Sequence, residues 1–489
     1  MKRFLTVLIL ILALLLSGCE AETVKDDVLG AYKQDSQNGQ QDQNFSSADV
    51  TLLFYPDMDT NPVTTNCLAN SQILKLVYEP LITLDDSFKP SCVIAKGYVQ
   101  TANTIVVTIN EKMKFSDGSP VTAYDVVKTY DVAKKDKTSP YHSSVSLLSD
   151  YRAKDDYTVE FVFKYTDTDA VGILDLPIMK NGKEGIGCGP YVLQTLNGKQ
   201  VLMANEQYSP KANIKTLRLV ETKSDEFVTS LFSAGELDLL SLPGNDDLSL
   251  TSLRNYTTIT YPSNNLVYIG INTSREFFAD AKVRRQISAC IDRQKITSQA
   301  LVGLAEPTVY PFNPDWYKLD VYNVNSNIEY KPEGDLLSGK TLLLIVPEGS
   351  DVKNAIATAL AANFKELSIN LEIKVLNADD YKAKVESGDF DLYLGETALP
   401  RTMDPTYLYA QGAGMNYSGY VNAELDSIFV NYKNTNTGLD KYLEKFLENM
   451  PIIPIAFRKN VIYSTQNLDG FDGLSAWNSY GNFEKVIQK

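Results

Sequence analysis

Histidine is almost missing from this chain: His142 is the only one in 489 residues. That takes away the usual near-neutral general base and the commonest metal ligand, so triad hydrolysis and His-ligated metal chemistry have little to work with. His142 lies in the polar stretch Ser139-Pro140-Tyr141-His142-Ser143-Ser144 without a nucleophile-elbow pattern, and it reads as a surface loop histidine. Positive charge is also short, with 46 Lys plus Arg against 61 Asp plus Glu and a formal net charge of −15. A chain of that balance repels a phosphate backbone, which excludes nucleic-acid binding as an expected role. The acidic residues show no spacing that singles out a carboxylate pair for glycoside cleavage. Only 5 cysteines occur, and none are in C-x-x-C spacing, which disfavours a zinc ribbon. For Cys67, Cys92, Cys188 and Cys290 the sequence leaves any disulfide pairing, or four free thiols, equally open. Neither a metal site nor a cofactor is expected.

The rest of the composition is that of a globular protein, with 44% hydrophobic and 22% charged residues, and the length predicts two or three domains at roughly 100 to 200 residues each. Lys2 and Arg3 precede an apolar run from Phe4 to Leu16, which falls short of the roughly 20 residues a membrane-spanning helix needs. The run ends in Leu16-Ser17-Gly18-Cys19, which resembles the bacterial lipobox. The resemblance implies a signal peptide over 1–18, cleavage before Cys19, and diacylglycerol on that thiol. Residues 19–48 are dense in Gln, Asn, Asp and Ser and cannot bury enough surface to offset the entropy of ordering them, so a flexible tether is predicted there. The folded body then starts near Asp49.

Within the body, apolar β-branched runs predict strands at Thr51 to Tyr55, Thr104 to Ile109 and Thr158 to Lys164. Thr122 to Asp125 has the form of a capping box opening a helix through Val126, Val127 and Tyr130. Asp280 is placed to cap a helix carrying Val283, Ile287 and Ile291, and the flanking Arg284, Arg285, Arg293 and Lys295 are expected to form its solvated basic face. The clearest pattern is β-α-β-α-β: strand Thr341 to Val346, helix capped by Ser350, strand Ile369 to Val375, helix from about Ala378 to Glu386, and strand Phe390 to Leu394. Such a unit forms a right-handed parallel sheet whose ligands gather at the carboxyl ends of the strands, which directs attention to the loop after Leu394. Gly334 to Thr341 matches the P-loop pattern letter for letter, but a strand follows where a phosphate cradle needs a helix, so ATP binding is not expected.

Several segments together carry a resemblance. Leu76-Val77-Tyr78-Glu79-Pro80-Leu81, Met113 through Val127 with its Phe115-Ser116-Asp117-Gly118 core, and Gly187-Cys188-Gly189-Pro190-Tyr191 come first. Ser233 to Asp238, Ile271 to Thr273, Val283 to Arg293, Gly303 to Pro311 and Met450 to Ile455 follow in order. They resemble the blocks of the family 5 extracellular solute-binding proteins, the peptide and nickel receptors of ABC importers. The resemblance implies an α/β, two-lobed periplasmic-binding-protein-like fold with an extra subdomain, mixed sheets, and a hinge between the lobes. Mapped onto this chain, domain I takes 49–75, 176–262 and 455–489, domain II is inserted at 76–175, and domain III spans 263–454. The two crossings between lobes fall near Tyr261-Pro262 and near Pro451 to Pro454.

By the same resemblance the protein is a receptor rather than an enzyme. It is expected to be a monomer that captures a peptide or other small solute, serves ABC permease and ATPase subunits, and sits outside the cytoplasm, at the cell surface or in the periplasm, held to the membrane by its lipid. The alternative class is a surface lipoprotein that senses a signal peptide, or a chaperone or enzyme on the same scaffold. In peptide-binding relatives an aspartate three residues ahead of the Asp-Pro pair holds the peptide's α-amino group. Counting back from Asp404 reaches Arg401, and Glu396 stands where relatives often carry Trp. A cation there repels a free N-terminus, so a ligand carboxylate gripped by Arg401, or a peptide bound by other means, is expected. The competing expectation pairs Arg401 with a local carboxylate such as Asp404, facing away from the cleft. Thr397, Leu399 and Asn416 complete the candidate loop set, while Tyr310, Phe312, Trp316 and Tyr417 either stack on ligand or pack the interface. A nickel chelate is the weaker ligand reading, because Thr406 follows the Asp-Pro pair where some relatives have histidine.

Overall fold

In the computed structural model the described residues are 49–241, 256–322, 336–465 and 468–489, so Cys19, the tether 19–48, and Gly334 and Asp335 of the P-loop look-alike lie outside them. The body, Val50–Lys489, forms one compact unit. Its spine is a mixed sheet of eleven strands among the described residues. At one end lies the β-α-β-α-β unit read from the sequence. Thr341–Pro347 is flanked by Asn370–Leu376 and Leu392–Ala398, all parallel, with helices Asp351–Glu366 and Ala378–Ser387 as the crossovers. The predicted cap at Ser350 forms, its Oγ accepting the Lys353 N–H at 3.1 Å, and the second helix is capped by Asn377, whose Oδ1 accepts the Asp380 N–H at 2.9 Å. At the other end Val50–Phe54 pairs in parallel with Thr216–Glu221, which continues antiparallel into Lys199–Ala204 and Tyr191–Leu196.

Two long antiparallel strands, Thr257–Ile271 and Ile453–Ser464, run through both halves and are the only sheet strands among the described residues to do so. Their pairing shifts register between Pro262 and Leu266, where three residues face one. The bulge is pinned rather than slack: Ser263 Oγ donates to Arg458 O at 2.6 Å, Asn313 Nδ2 to Ser263 O at 2.7 Å, and Asn264 Nδ2 to Leu399 O at 3.1 Å. The hydrophobic core divides at the same place. Leu266 through Phe457, joined by Phe88, build one core, while the residues from Val50 to Tyr261 and after Phe457 build a second large core and a smaller one around Phe232 and Tyr463. On the returning strand the division therefore falls after Phe457, later than the Pro451 to Pro454 crossing expected from sequence. The cause is geometric: Phe457 pairs with Leu266 and Lys459 with Pro262, so the change of side has to occur opposite the bulge.

The antiparallel sheet Ala95–Thr101, Thr104–Ile109, Thr158–Phe163 and Leu148–Asp155 packs against the helix Ala123–Lys135. Asp125 accepts both the Thr122 N–H at 2.9 Å and its hydroxyl at 2.6 Å, which closes the helix start. The motifs that looked separate in sequence dock on one another. Gly189 N–H donates to Val77 O at 2.8 Å, Tyr191 N–H to Leu76 O at 2.9 Å, and Ser116 N–H to Gly187 O at 2.9 Å. Glycine is required at Gly187 because a Cβ there would lie 2.1 Å from Val77 O.

One expectation fails. Of the supposed solvated basic face, Arg285 is exposed, but Arg284 and Arg293 are buried. Arg284 donates from Nη1 to the carbonyls of Phe278 and Ala279 at 2.8 Å each and from Nε to that of Met450 at 3.0 Å. Arg293 donates to Pro454 O at 2.9 Å and to Ser288 O at 3.0 Å. Both guanidiniums satisfy helix-end and strand carbonyls that packing has cut off from water, a task for which five forked donors are suited. The helix, Ala281–Ala289, also stops before Ile291.

Candidate functional site

The loop after Leu394 serves two places. The first is a cavity of about 260 Å³ at the carboxyl ends of the parallel strands, bordered by Pro347, Leu394, Tyr268, Tyr381, Glu396 and Tyr417. Glu396 is held by two cations, with Lys353 Nζ at 2.8 Å and Arg458 Nη1 at 3.0 Å. Arg458 comes from the crossing strand beside the bulge, so this carboxylate ties the rim of the cavity to the hinge. Thr397 Oγ1 meets the Tyr407 hydroxyl at 3.0 Å just beyond.

The second place lies between the lobes. Arg401 carries its guanidinium over the Trp477 ring, 5.2 Å from the centroid, with the Tyr141 ring at 5.8 Å. Its Nε forms an ion pair with Asp175 Oδ2, without hydrogen-bond geometry. Lys75 Nζ donates to Trp477 O in the same cluster. Burial and the neighbouring Arg401 charge lower the Lys75 ammonium to about 8, with Asp175 opposing them. Burial and Asp175 push the Tyr130 and Tyr141 hydroxyls up. Asp175 Oδ1 and the Tyr130 hydroxyl are buried without a protein hydrogen-bond partner. Asp175 thus pairs with Arg401 and also lies within electrostatic reach of Lys75, and the approach is so close that a Cβ on Gly172 would lie 2.6 Å from Arg401 O. Such a set suits a ligand that brings a further negative or hydrogen-bonding group.

Arg401 therefore does not take the local pairing with Asp404 that was the competing expectation. Its counterion is Asp175, from the opposite lobe, whereas Asp404 Oδ1 is used locally by the Thr406 N–H at 2.8 Å and hydroxyl at 2.5 Å. Asn416 is likewise engaged in its own loop, donating to Tyr420 O at 2.7 Å and Ala410 O at 3.1 Å. Leu399, Tyr310, Phe312 and Trp316 are buried in the core of the Leu266-to-Phe457 lobe, where Phe312 packs tilted against Trp316 at 4.9 Å and edge-on to Tyr442 at 5.7 Å. Tyr417 alone of the four aromatics borders the strand-end cavity. Lys75, Asp175 and Trp477 escaped sequence reasoning because they lie far from the loop in sequence and none stands in a pattern that marks a site.

A second cavity, about 430 Å³, opens beside Lys75 within the larger lobe and is bordered by Glu79, Tyr208, Tyr480, Asp472 and Glu484. Tyr208 donates to Glu79 Oε1 at 3.1 Å. The four body cysteines described are all free thiols. His142 opens a short helix, partly buried, with Nδ1 3.1 Å from Ala133 O.

The family model for bacterial extracellular solute-binding proteins, family 5, matches residues 93–419. The chain is 25% identical over 464 residues to the oligopeptide-binding protein AppA of Bacillus subtilis, covering 82% of this chain and 84% of that one. It is 23% identical over 473 residues to the glutathione-binding protein GsiB of Salmonella typhi, covering 87% and 92%. Among solved structures, the periplasmic murein tripeptide binding protein MppA in an unliganded open form shares the two-lobed fold, with a TM-score of 0.74 at 19% identity over 91% of this chain and 98% of that one.

Proposed function

The chain belongs to the bacterial extracellular solute-binding proteins, family 5, and from that premise we propose that it is the substrate receptor of an ABC importer for oligopeptides or a peptide-like small solute. The relatives named for oligopeptide and glutathione binding support the peptide reading. The solute is taken between the lobes and passed unchanged to a membrane permease. Closure follows from population shift: only when the lobes meet are both sets of contacts made, so ligand favours that form by its differential affinity. Diacylglycerol on Cys19 holds the receptor outside the cytoplasm beside its transporter, and the tether keeps its local concentration high there.

One observation carries the ligand assignment: Arg401, Lys75 and Asp175 converge between the lobes with a surplus cation. A ligand carboxylate, such as a peptide C-terminus, is the group that balances it, and Arg401 is the residue that grips it. Glu396 and Tyr417 line the neighbouring cavity and contact the rest of the ligand. Native mass spectrometry of the gently purified protein is expected to reveal a co-purified carboxylate-bearing molecule, whose affinity is then measured by calorimetry. Arg401→Ala is expected to weaken it at least tenfold, and unchanged affinity would remove the anchor.

A further inference from the structure

Away from the Arg401 cluster, a second set of charged side chains joins the lobes. Asp167 and Asp169 follow the strand Thr158–Phe163 of the larger lobe, while Lys318 and Lys433 belong to the other lobe. Lys433 Nζ lies 2.7 Å from Asp167 Oδ1 and 2.8 Å from Asp169 Oδ2, and Lys318 Nζ lies 2.5 Å from Asp169 Oδ1. The side chains are nearly enclosed, from 8% exposed for Lys433 to 12% for Lys318. The Tyr432 hydroxyl donates to Asp169 at 3.3 Å, and the main chain joins in, Thr168 N–H donating to Lys433 O at 2.8 Å. Nearby, Tyr317 N–H donates to Ser87 O at 3.0 Å, and Phe88 buries its ring in the opposite lobe's core.

We propose that Asp167, Asp169, Lys318 and Lys433 form an interlobe latch, four positioning residues that set how readily the lobes close, and hence the receptor's apparent affinity, without touching the ligand. The inference rests on the receptor reading for its consequence but not for its mechanism, because every partner in the latch is a protein group. Two carboxylates meet two ammoniums, so the set is neutral when assembled, and each charge has charged partners in place of water. Removing one side leaves enclosed charges unpaired, which costs far more than the complete set contributes. Opening the lobes hydrates all four, so the latch is a balance between ion pairing and solvation rather than a rigid tie. The balance shows within the set: against burial, Asp169 and Asp167 hold the Lys433 ammonium above its ordinary range and the two lysines hold the Asp169 carboxyl below its own, whereas burial wins at Asp167, pushed up, and at Lys318, pushed down.

Small-angle scattering of the mature chain, unfolded, dialysed and refolded to remove carried solute, tests this without any ligand. The expected result is a compact wild type and a larger radius of gyration for Asp167→Asn/Asp169→Asn and for Lys318→Met/Lys433→Met, with the closed-to-open ratio reduced at least tenfold. Equal radii for wild type and folded variants overturn the latch while leaving the receptor reading intact. Should both variants fail to fold, the wild type measured from 0.05 to 1 M NaCl decides: it is expected to expand as salt favours the hydrated charges, and an unchanged radius overturns the proposal. Failure of any solute to bind the wild type would instead overturn the receptor reading and leave the scattering result standing.

Discussion

Glu79, the acidic residue of the Tyr78-Glu79-Pro80-Leu81 motif, is the place where the structure makes its sharpest demand on stability. Burial, with Glu484 nearby, pushes its carboxyl from an ordinary 4.5 up to about 8, against the Tyr208 hydrogen bond that favours ionisation. The folded state therefore holds a proton that the unfolded chain has already released between pH 4.5 and about 8. Because the folded state binds more protons in that window, stability is fully present below about 4.5 and falls as pH rises through 8. The whole shift corresponds to about 5 kcal/mol, and to roughly half of that if water enters the adjoining 430 Å³ cavity and solvates the carboxylate. Glu79→Gln keeps the shape and the acceptor for Tyr208 but never ionises. We expect it to unfold in urea at pH 8 with about 2 to 4 kcal/mol more stability than the wild type, and to converge with it towards pH 4.5. Trp316 and Trp477, one in each lobe, report the transition by fluorescence. Parallel stability curves for the two proteins across pH 5 to 8 would refute the claim that Glu79 is protonated in the fold.

Two further sites, Arg293 and Gly270, probe the framework. Arg293→Met removes the donors that Pro454 O, Ser288 O and Ser288 Oγ share, and with those carbonyls still buried it should lower the unfolding free energy by about 3 kcal/mol, whereas Arg285→Met on the exposed side should change it by less than about 0.5 kcal/mol. Gly270→Ala places a Cβ 1.9 Å from the Tyr393 ring that lies over it across the strands, and should cost about 3 kcal/mol. Adding Tyr393→Leu to Gly270→Ala should recover part of that loss in a double-mutant cycle, since the three atoms nearest the added Cβ all belong to Tyr393.

The receptor family was legible because its blocks are local: the Phe115-Ser116-Asp117-Gly118 turn, the Thr122 cap and the Gly187 approach each need particular residues at short spacing. The helix of Asp351–Glu366 and its neighbouring strands were legible for the same reason, since period and caps belong to one stretch of chain. The candidate site was legible only in part. Its loop was found by the strand-end rule and Arg401 by its place before Asp404, but Arg401's counterion was not, because Asp175 lies 226 residues earlier. The arginines flanking Val283 and Ile287 misled for a related reason, as sequence marks a charged residue as solvated unless its buried carbonyl partners are already known.

What the sequence by itself determined is therefore the set of elements, their order and the family they compose, all of which follow from propensity, period and local steric need. Only the tertiary structure decided which charges meet. Asp175 faces Arg401, Asp169 faces Lys318 and Lys433, and Glu396 faces Arg458, each pair brought together from segments far apart along the chain. Charge pairing of that kind depends on distance in space, and along the chain nothing encodes it.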